Sequence, residues 1–130
     1  MMQTVFVTGS AGFIGFHLCK LLLAQRYRVI GLDAMTDYYD VSLKEARLAR
    51  LEHPLFEQVT GKVEDQGLVM ELFETHKPDY VVHLAAQAGV RYSIQNPRSY
   101  LESNINGTFE ILEAARAHPP KHMLLASTSS

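Results

Sequence analysis

The sequence lacks the features that would place the protein outside the cell, in a membrane or on a nucleic acid. Its single cysteine, Cys19, cannot form an internal disulfide, and its position among leucines is typical of a small buried residue. The formal net charge of -2 provides no basic surface for a nucleic-acid backbone. The longest leucine run, Leu21–Leu23, is far too short to span a membrane, and a first strand beginning near Gln3 leaves no room for a signal peptide. We therefore expect a cytoplasmic protein with no nucleic-acid or membrane partner.

The sequence does contain a regular alternation of short apolar runs with longer amphipathic stretches. This alternation is typical of βαβ units, whose strands pair in parallel. We predict one α/β domain over residues 1–130, a doubly wound parallel sheet of the Rossmann type with strand order 3-2-1-4-5. The predicted strands lie near 3–8, 28–33, 55–60, 79–85 and 122–127, and the predicted helices near 13–25, 42–52, 66–76 and 97–117.

Local signals mark the ends of two of these helices. Asn96 and Pro97 suit the cap and the first position of the last helix, and His118-Pro119-Pro120 ends it. Asp65 suits the cap of the helix before it. The residues expected on the inward faces are Leu101, Ile105, Thr108, Leu112 and Ala115 in the last helix and Leu68, Val69, Leu72 and Phe73 in the preceding one.

A glycine triplet follows the first predicted strand and opens the first predicted helix. Gly9 allows the tight turn, Gly12 leaves no side chain between the backbone and a phosphate, and Gly15 lets the helix pack closely on the strand. This spacing predicts a loop that holds the pyrophosphate of a dinucleotide. The alternative is a glycine-rich turn that binds no ligand.

Asp33 ends the second predicted strand, at the distance from the glycine triplet where an acid meets the ribose of a bound adenosine. Its carboxylate would accept hydrogen bonds from both ribose hydroxyls and repel a 2′-phosphate, which favours NAD over NADP. The alternative is an ordinary acid at the end of a strand.

The six histidines do not predict a metal site. His118 and His122 are four residues apart, but Pro119 and Pro120 interrupt the helix that would align them. His83 lies in a predicted strand without a nearby ligand candidate. Gly61-Lys62 lacks the rest of a nucleoside-triphosphate loop.

Several motifs together resemble a known family. They are Thr8-Gly9-Ser10-Ala11-Gly12-Phe13-Ile14-Gly15, His83-Leu84-Ala85-Ala86, Asn104 with Gly107-Thr108, and Ser127-Thr128-Ser129-Ser130. With these motifs the chain resembles the extended short-chain dehydrogenase/reductase family, and within it the nucleotide-sugar epimerases. The segments Asp37-Tyr38-Tyr39-Asp40, Leu43–Leu48 and Ala88–Ser93 resemble the UDP-glucuronate 4-epimerases, which supply galacturonate for surface polysaccharides.

The resemblance implies NAD as cofactor, a UDP-sugar as substrate and a 4-keto intermediate. It places the backbone of Phe13 and Ile14 at the pyrophosphate, although their side chains could equally be core. It makes Asn104 a cofactor ligand; the alternative is that the Asn104 side chain only hydrogen-bonds to backbone groups. It makes Arg91 a partner for a substrate carboxylate or phosphate; the alternative is a solvated loop arginine. Thr128 would orient the reacting sugar oxygen, while Ser127 could be only a polar strand end. The implied cofactor-binding residues are Gly9, Gly12, Phe13, Ile14, Gly15, Asp33, Val63 (through its backbone), Ala85, Ala86, Gln87, Asn104 and Ser127, and the implied substrate-binding residues are Arg91 and Thr128, with Thr128 also the catalytic one.

The chain departs from the family in length and in one catalytic motif. Members are about twice as long, so we expect an amino-terminal portion without the sugar-binding domain. None of the six tyrosines is followed four residues later by lysine, so the family's Tyr-x-x-x-Lys pair, which supplies the general base, does not occur. We expect this chain to be inactive by itself, and its exposed last strand to promote self-association into a homo-oligomer.

Two other functions remain open on the sequence. One is a dehydratase or reductase of the same family acting on another nucleotide sugar. The other is a non-catalytic NAD-binding or interaction module.

Overall fold

The computed structural model describes residues 2–34, 41–84 and 105–125. Five parallel strands form one sheet in the order β3-β2-β1-β4-β5. This confirms the predicted doubly wound topology. The strands are β1 (Thr4–Thr8), β2 (Arg28–Asp33), β3 (Phe56–Thr60), β4 (Tyr80–His83) and β5 (His122–Leu125), and the helices are α1 (Phe13–Ala24), α2 (Val41–Arg50), α3 (Leu68–His76) and α4 (Gly107–Ala117).

The register of the central strands determines which residues meet at the carboxyl edge of the sheet. Thr8, the last residue of β1, lies beside Leu32 of β2 and beside His83 of β4. Asp33 is the next residue of β2 and pairs with Thr60 of β3. The glycine loop, Asp33 and His83 therefore lie at one edge, where open α/β sheets bind their ligands.

Strand β1 divides the core because its successive side chains point to opposite faces of the sheet. Phe6 packs on one face with Phe73 of α3, and the two ring centroids are 5.3 Å apart. Val5 and Val7 pack on the other face with residues of α1, among them Cys19. Cys19 is fully buried, as expected, and burial raises the pKa of its thiol to about 12.

The observed elements follow the predicted ones to within about two residues wherever both can be compared. The predicted start of the last helix, with Asn96 and Pro97, lies outside the described residues. The predicted cap at Asp65 is wrong, because α3 begins later, after Gly67, whose left-handed backbone (φ 86°) precedes the helix. The Asp65 carboxylate instead accepts a hydrogen bond from the backbone N–H of Lys62, 3.1 Å away, and so closes a turn. The predicted inward stripe of α3 is confirmed, since Val69, Leu72 and Phe73 are buried and Leu68 packs against them.

The predicted inward face of the last helix is wrong for two of its residues. Ile111 and Ala114 are buried against α3, whereas Ile105 and Leu112 are exposed together with Phe109. Apolar residues occur on more than one side of this helix, so their spacing alone did not identify the buried side.

Candidate cofactor-binding site

The glycine loop is folded tightly against the first turn of α1. Gly9 has a left-handed backbone (φ 75°), and its N–H donates to the carbonyl of Leu32, 2.7 Å away. A Cβ on Gly15 would lie only 2.0 Å from the carbonyl oxygen of Gly9, so any side chain there would displace the backbone. The turn and the close helix packing that the sequence predicted for Gly9 and Gly15 are therefore both observed.

The N-terminus of α1 offers backbone donors at the mouth of this loop. Gly12 precedes the helix without a side-chain cap, and its carbonyl already accepts the N–H of Phe16. Across the described ranges, no backbone acceptor takes the N–H groups of Phe13, Ile14 or Gly15. Free donors at a helix N-terminus, together with the helix dipole, favour an anion.

The side chains of Phe13 and Ile14 are not part of the core. They are 66% and 67% exposed. The alternative in which both residues serve as core is therefore wrong, and large apolar groups flank the amides at the mouth of the loop.

Asp33 is buried and holds the loop in place. Its side chain is 4% exposed, and its Oδ2 accepts a hydrogen bond from the backbone N–H of Ala11 at 3.0 Å. The ammonium of Lys44 on α2 lies 2.9 Å from Oδ1. Asp33 is therefore more than an ordinary acid at a strand end, because it joins β2, the glycine loop and α2.

A second cation of α2 reaches the same loop. The guanidinium of Arg47 donates to the carbonyl oxygen of Ala11 at 3.1 Å, and its Cζ lies 5.9 Å from the centre of the Phe13 ring. Both polar groups of the Ala11 residue are thus held, the N–H by Asp33 and the C=O by Arg47. This fixes the middle of the loop before any ligand binds.

The side chain of Ser10 connects the glycine loop to strand β3. Its hydroxyl donates to Oε1 of Gln58 on β3 at 2.8 Å. Gly31 makes room for this contact, since a Cβ there would lie 2.7 Å from the Ser10 oxygen. The loop is consequently held by β3 as well as by β2 and α2.

Val63 is buried, and its side chain packs against Gly107 at the start of α4, where an added Cβ would lie 3.3 Å from Cγ1 of Val63. Its side chain thus belongs to the core, and the backbone role predicted for Val63 stays a prediction.

On the other side of β1, a histidine joins three elements. Nδ1 of His83 lies 2.7 Å from the hydroxyl oxygen of Thr8, and Nε2 lies 3.4 Å from the hydroxyl of Thr108 on α4. The N–H of Leu84 also donates to the Thr8 hydroxyl at 2.9 Å. Burial lowers the pKa of His83 to about 4, so the ring is neutral near pH 7.

Seven of the predicted site residues lie outside the described residues. They are Ala85, Ala86, Gln87, Arg91, Asn104, Ser127 and Thr128. Their predicted roles stay predictions.

The described part of the site fits a dinucleotide, because a tight glycine loop, free helix amides and an acid on the neighbouring strand lie at one sheet edge. Over the same residues, no group of three or more His, Cys, Asp or Glu is arranged to bind a metal ion. Nor is any described helix both long and apolar enough to cross a bilayer. Sheet order and loop together define a Rossmann-type α/β domain.

Comparison with known proteins gives the family. A profile described as GDP-mannose 4,6 dehydratase matches residues 6–130. The chain belongs to this family.

Three relatives illustrate the likeness. A "Probable UDP-glucuronate 4-epimerase" of Rhizobium meliloti (strain 1021) is 50% identical over 125 residues, which cover 95% of this chain and 37% of the relative. The crystal structure of the UDP-glucuronic acid 4-epimerase of Bacillus cereus, in complex with UDP-glucuronic acid and NAD, has a TM-score of 0.90 at 34% identity, over 98% of this chain and 41% of that one. The dTDP-glucose 4,6-dehydratase DesIV of Streptomyces venezuelae, with NAD bound, has a TM-score of 0.81 at 32% identity, over 93% and 38%. The chain therefore spans about two-fifths of the relatives' length.

Sequence reasoning missed three residues that shape the site: Ser10, Lys44 and Arg47. Ser10 lies within the glycine motif, and Lys44 and Arg47 lie within a segment that resembles the family. The spacing of Lys44 and Arg47 places them on one side of a helix but does not indicate what that side contacts.

Proposed function

We propose that residues 1–130 form the NAD-binding portion of a nucleotide-sugar 4-epimerase that interconverts UDP-glucuronate and UDP-galacturonate. The cofactor part of this proposal is supported chiefly by the loop in which Gly15 packs directly on Gly9 beneath free helix amides. The substrate part is supported by the 50% identity to the Rhizobium meliloti relative and by the likeness to the Bacillus cereus enzyme.

The described residues would hold the adenosine diphosphate half of the cofactor. The backbone N–H groups of Phe13 and Ile14 would bind the pyrophosphate, with Gly9, Gly12 and Gly15 leaving room for it. Asp33 would accept from the ribose hydroxyls. Val63 would contribute through its backbone.

The remaining assignments rest on the family resemblance. Ala85, Ala86 and Gln87 would lie under the nicotinamide half, and Asn104 and Ser127 would also contact the cofactor. Arg91 would meet a carboxylate or phosphate of the sugar nucleotide. Thr128 would orient the reacting hydroxyl of the sugar by hydrogen bonding, because its own pKa is far too high for it to act as a base.

When bound, NAD supplies reversible oxidation of a sugar carbinol, which allows the configuration at carbon 4 to be inverted. A tyrosine with a lysine four residues later would take the hydroxyl proton, and these 130 residues contain no such pair. We therefore propose that this chain binds the cofactor but does not turn over substrate.

Titration calorimetry of the folded chain with NAD⁺ tests the cofactor proposal. We expect saturable one-site binding to NAD⁺ and NADH and weaker binding of NADP⁺. Absence of heat with both NAD⁺ and NADH, over material with a cooperative unfolding transition, contradicts it.

A chain extended to include a Tyr-x-x-x-Lys pair tests the substrate proposal. We expect the extended chain, but not residues 1–130, to convert UDP-glucuronate to UDP-galacturonate. Epimerisation by the 130-residue chain itself would contradict our assignment of the base.

A 4,6-dehydratase of the same family is the second candidate, supported by the profile match and by the likeness to DesIV. The two candidates separate chemically, because a hexuronate has no hydroxyl at carbon 6 to eliminate as water. A product that has lost water from a dTDP- or GDP-hexose would favour the dehydratase.

We further propose a cytoplasmic location and a homo-oligomer, the latter supported by the exposed apolar residues of α4.

A further inference from the structure

Lys44 is a buried lysine whose only partner among residues 2–34, 41–84 and 105–125 is the acid of the predicted ribose site. Its side chain is 9% exposed, and its Nζ lies 2.9 Å from Oδ1 of Asp33. Lysines are seldom buried unless they are paired, since removing an ammonium from water is costly. Arg50, at the end of the same helix, is exposed. Of the three basic residues of α2, only Lys44 is buried, since Arg47 is half-buried.

The location of the Lys44–Asp33 ion pair in the fold suggests a role in ligand binding. The pair lies at the carboxyl end of β2, where Oδ2 of Asp33 already binds the N–H of Ala11 in the glycine loop. Because α2 begins eight residues after β2 ends, its first turn lies near the carboxyl end of β2, where Asp33 is the one carboxylate of the strand. The ion pair lies where the adenosine ribose is proposed to bind.

The chemistry of the pair matches a vicinal diol. Each ribose hydroxyl donates one hydrogen bond and can accept others, so it is best recognised by an acceptor and a donor side by side. Asp33 offers only acceptors. Lys44 offers three N–H donors, of which one is directed at Oδ1.

We propose that Lys44 is a second ribose-recognition residue, which donates to a hydroxyl of the adenosine ribose while Asp33 accepts from it. This inference rests on the proposed NAD binding. It assigns to α2 a direct role in holding the cofactor.

Calorimetry with NAD⁺ tests the role of Lys44 through the variant Lys44→Met, which keeps the length of the side chain and removes its donors. We expect about tenfold weaker binding, the typical effect of losing one charged hydrogen bond. The matched control is Lys20→Met on α1, an exposed lysine, which should bind as the unaltered chain does.

NAD⁺ analogues that lack the 2′- or the 3′-hydroxyl of the adenosine separate ribose contact from a general structural effect. If Lys44 donates to one of these hydroxyls, the Lys44→Met penalty falls to less than about twofold with the analogue that lacks it. An equal penalty with both analogues and with NAD⁺ overturns the proposal.

The background Asp33→Asn covers the case in which the unpaired acid prevents Lys44→Met from folding. Adding Lys44→Met to Asp33→Asn buries no unpaired carboxylate. We expect it to weaken NAD⁺ binding at least about threefold beyond Asp33→Asn alone, because the donor acts directly on the ribose. No further loss means that Lys44 acts only through Asp33 and overturns the proposal.

An unaltered chain that does not bind NAD⁺ overturns the proposed function and this inference together, whereas normal binding by the Lys44 variants overturns the inference alone.

Discussion

The hydroxyl of Thr8 lies 2.7 Å from Nδ1 of His83, and this contact joins the carboxyl ends of the two central strands β1 and β4. The glycine loop begins directly after Thr8, and the segment predicted to lie under the nicotinamide begins directly after Leu84. His83 also approaches Thr108 at the start of α4. The buried, neutral ring of His83 therefore holds β1, β4 and α4 together at the middle of the candidate site.

The burial of His83 predicts a loss of stability in mild acid. Its pKa is about 4 in the folded chain and 6.5 without burial, so the unfolded chain binds more protons between these values. This contribution to stability is complete above pH 6.5 and is lost as the pH falls towards 4. From about pH 7 to about pH 5 we expect it to cost about 2 kcal/mol, measured by urea unfolding.

The variant His83→Gln isolates this effect from the other titrating groups. Glutamine keeps a donor and an acceptor but does not titrate in this range. The free energy of unfolding of His83→Gln should fall by about 2 kcal/mol less between the two pH values than that of the unaltered chain. Parallel pH dependence of the two proteins would show that His83 is not the cause.

Alanine at Gly15 and at Gly12 should have different effects. At Gly15 the new Cβ would lie 2.0 Å from the Gly9 carbonyl oxygen, so we expect a loss of about 3 kcal/mol or more, or no folding. At Gly12 the nearest atom is 3.3 Å away, so we expect a loss of only about 1 kcal/mol.

NAD⁺ binding by Gly12→Ala then completes the comparison. Because Gly12 is predicted to face the pyrophosphate, its methyl group should weaken binding by about tenfold or more while the chain stays folded. Thermal unfolding and calorimetry on the same preparations measure both quantities. Unchanged affinity in folded Gly12→Ala would contradict the predicted pose of the phosphate.

Arg47→Met should loosen the glycine loop with little effect on the fold. It removes the hydrogen bond to the Ala11 carbonyl and the cation near Phe13, both in a half-buried position. We expect the free energy of unfolding to fall by about 1 kcal/mol or less. NAD⁺ binding should become three- to tenfold weaker, which is roughly the contribution of one such hydrogen bond. Arg50→Met, an exposed arginine of the same helix, is the control and should change neither.

The exposed face of α4 predicts self-association. Phe109 and Leu112 of α4 and Ile105, two residues before α4 begins, follow one another at helical spacing and are each exposed by more than a third. Sedimentation velocity at rising concentration should give dimers or larger species, and Phe109→Glu with Leu112→Glu should shift them towards monomer. Leu21→Glu, which changes an equally exposed leucine of α1, should not. A monomer at all concentrations contradicts the prediction.

Much of this fold could be predicted because local and global signals agree. The runs Val5–Val7 and Val29–Leu32 are apolar in the way that parallel strands buried on both faces require, and both observed strands begin and end within a residue of the predicted bounds. Gly9 and Gly15 similarly indicate the observed turn, because Gly9 has a positive φ and a Cβ at Gly15 would meet the carbonyl oxygen of Gly9. The fold implied by the family resemblance agrees with the strands and with the glycine loop.

The remaining features depend on tertiary contacts that spacing does not reveal. The inward side of α4 is determined by where α3 packs, and Ile105 and Leu112 are exposed because they lie outside that contact. The burial of Lys44 could not be predicted from composition, because a lysine on an amphipathic helix is ordinarily solvated. Only the position of α2 over the end of β2 brings it to Asp33.

The order of the strands also bears on how the chain is made. During synthesis β1 leaves the ribosome first and meets β2 soon afterwards, but its other neighbour, β4, emerges only once β3 and α3 have been translated. The glycine loop, Asp33, Lys44 and Arg47 thus all exist in the nascent chain before the far side of the crevice does.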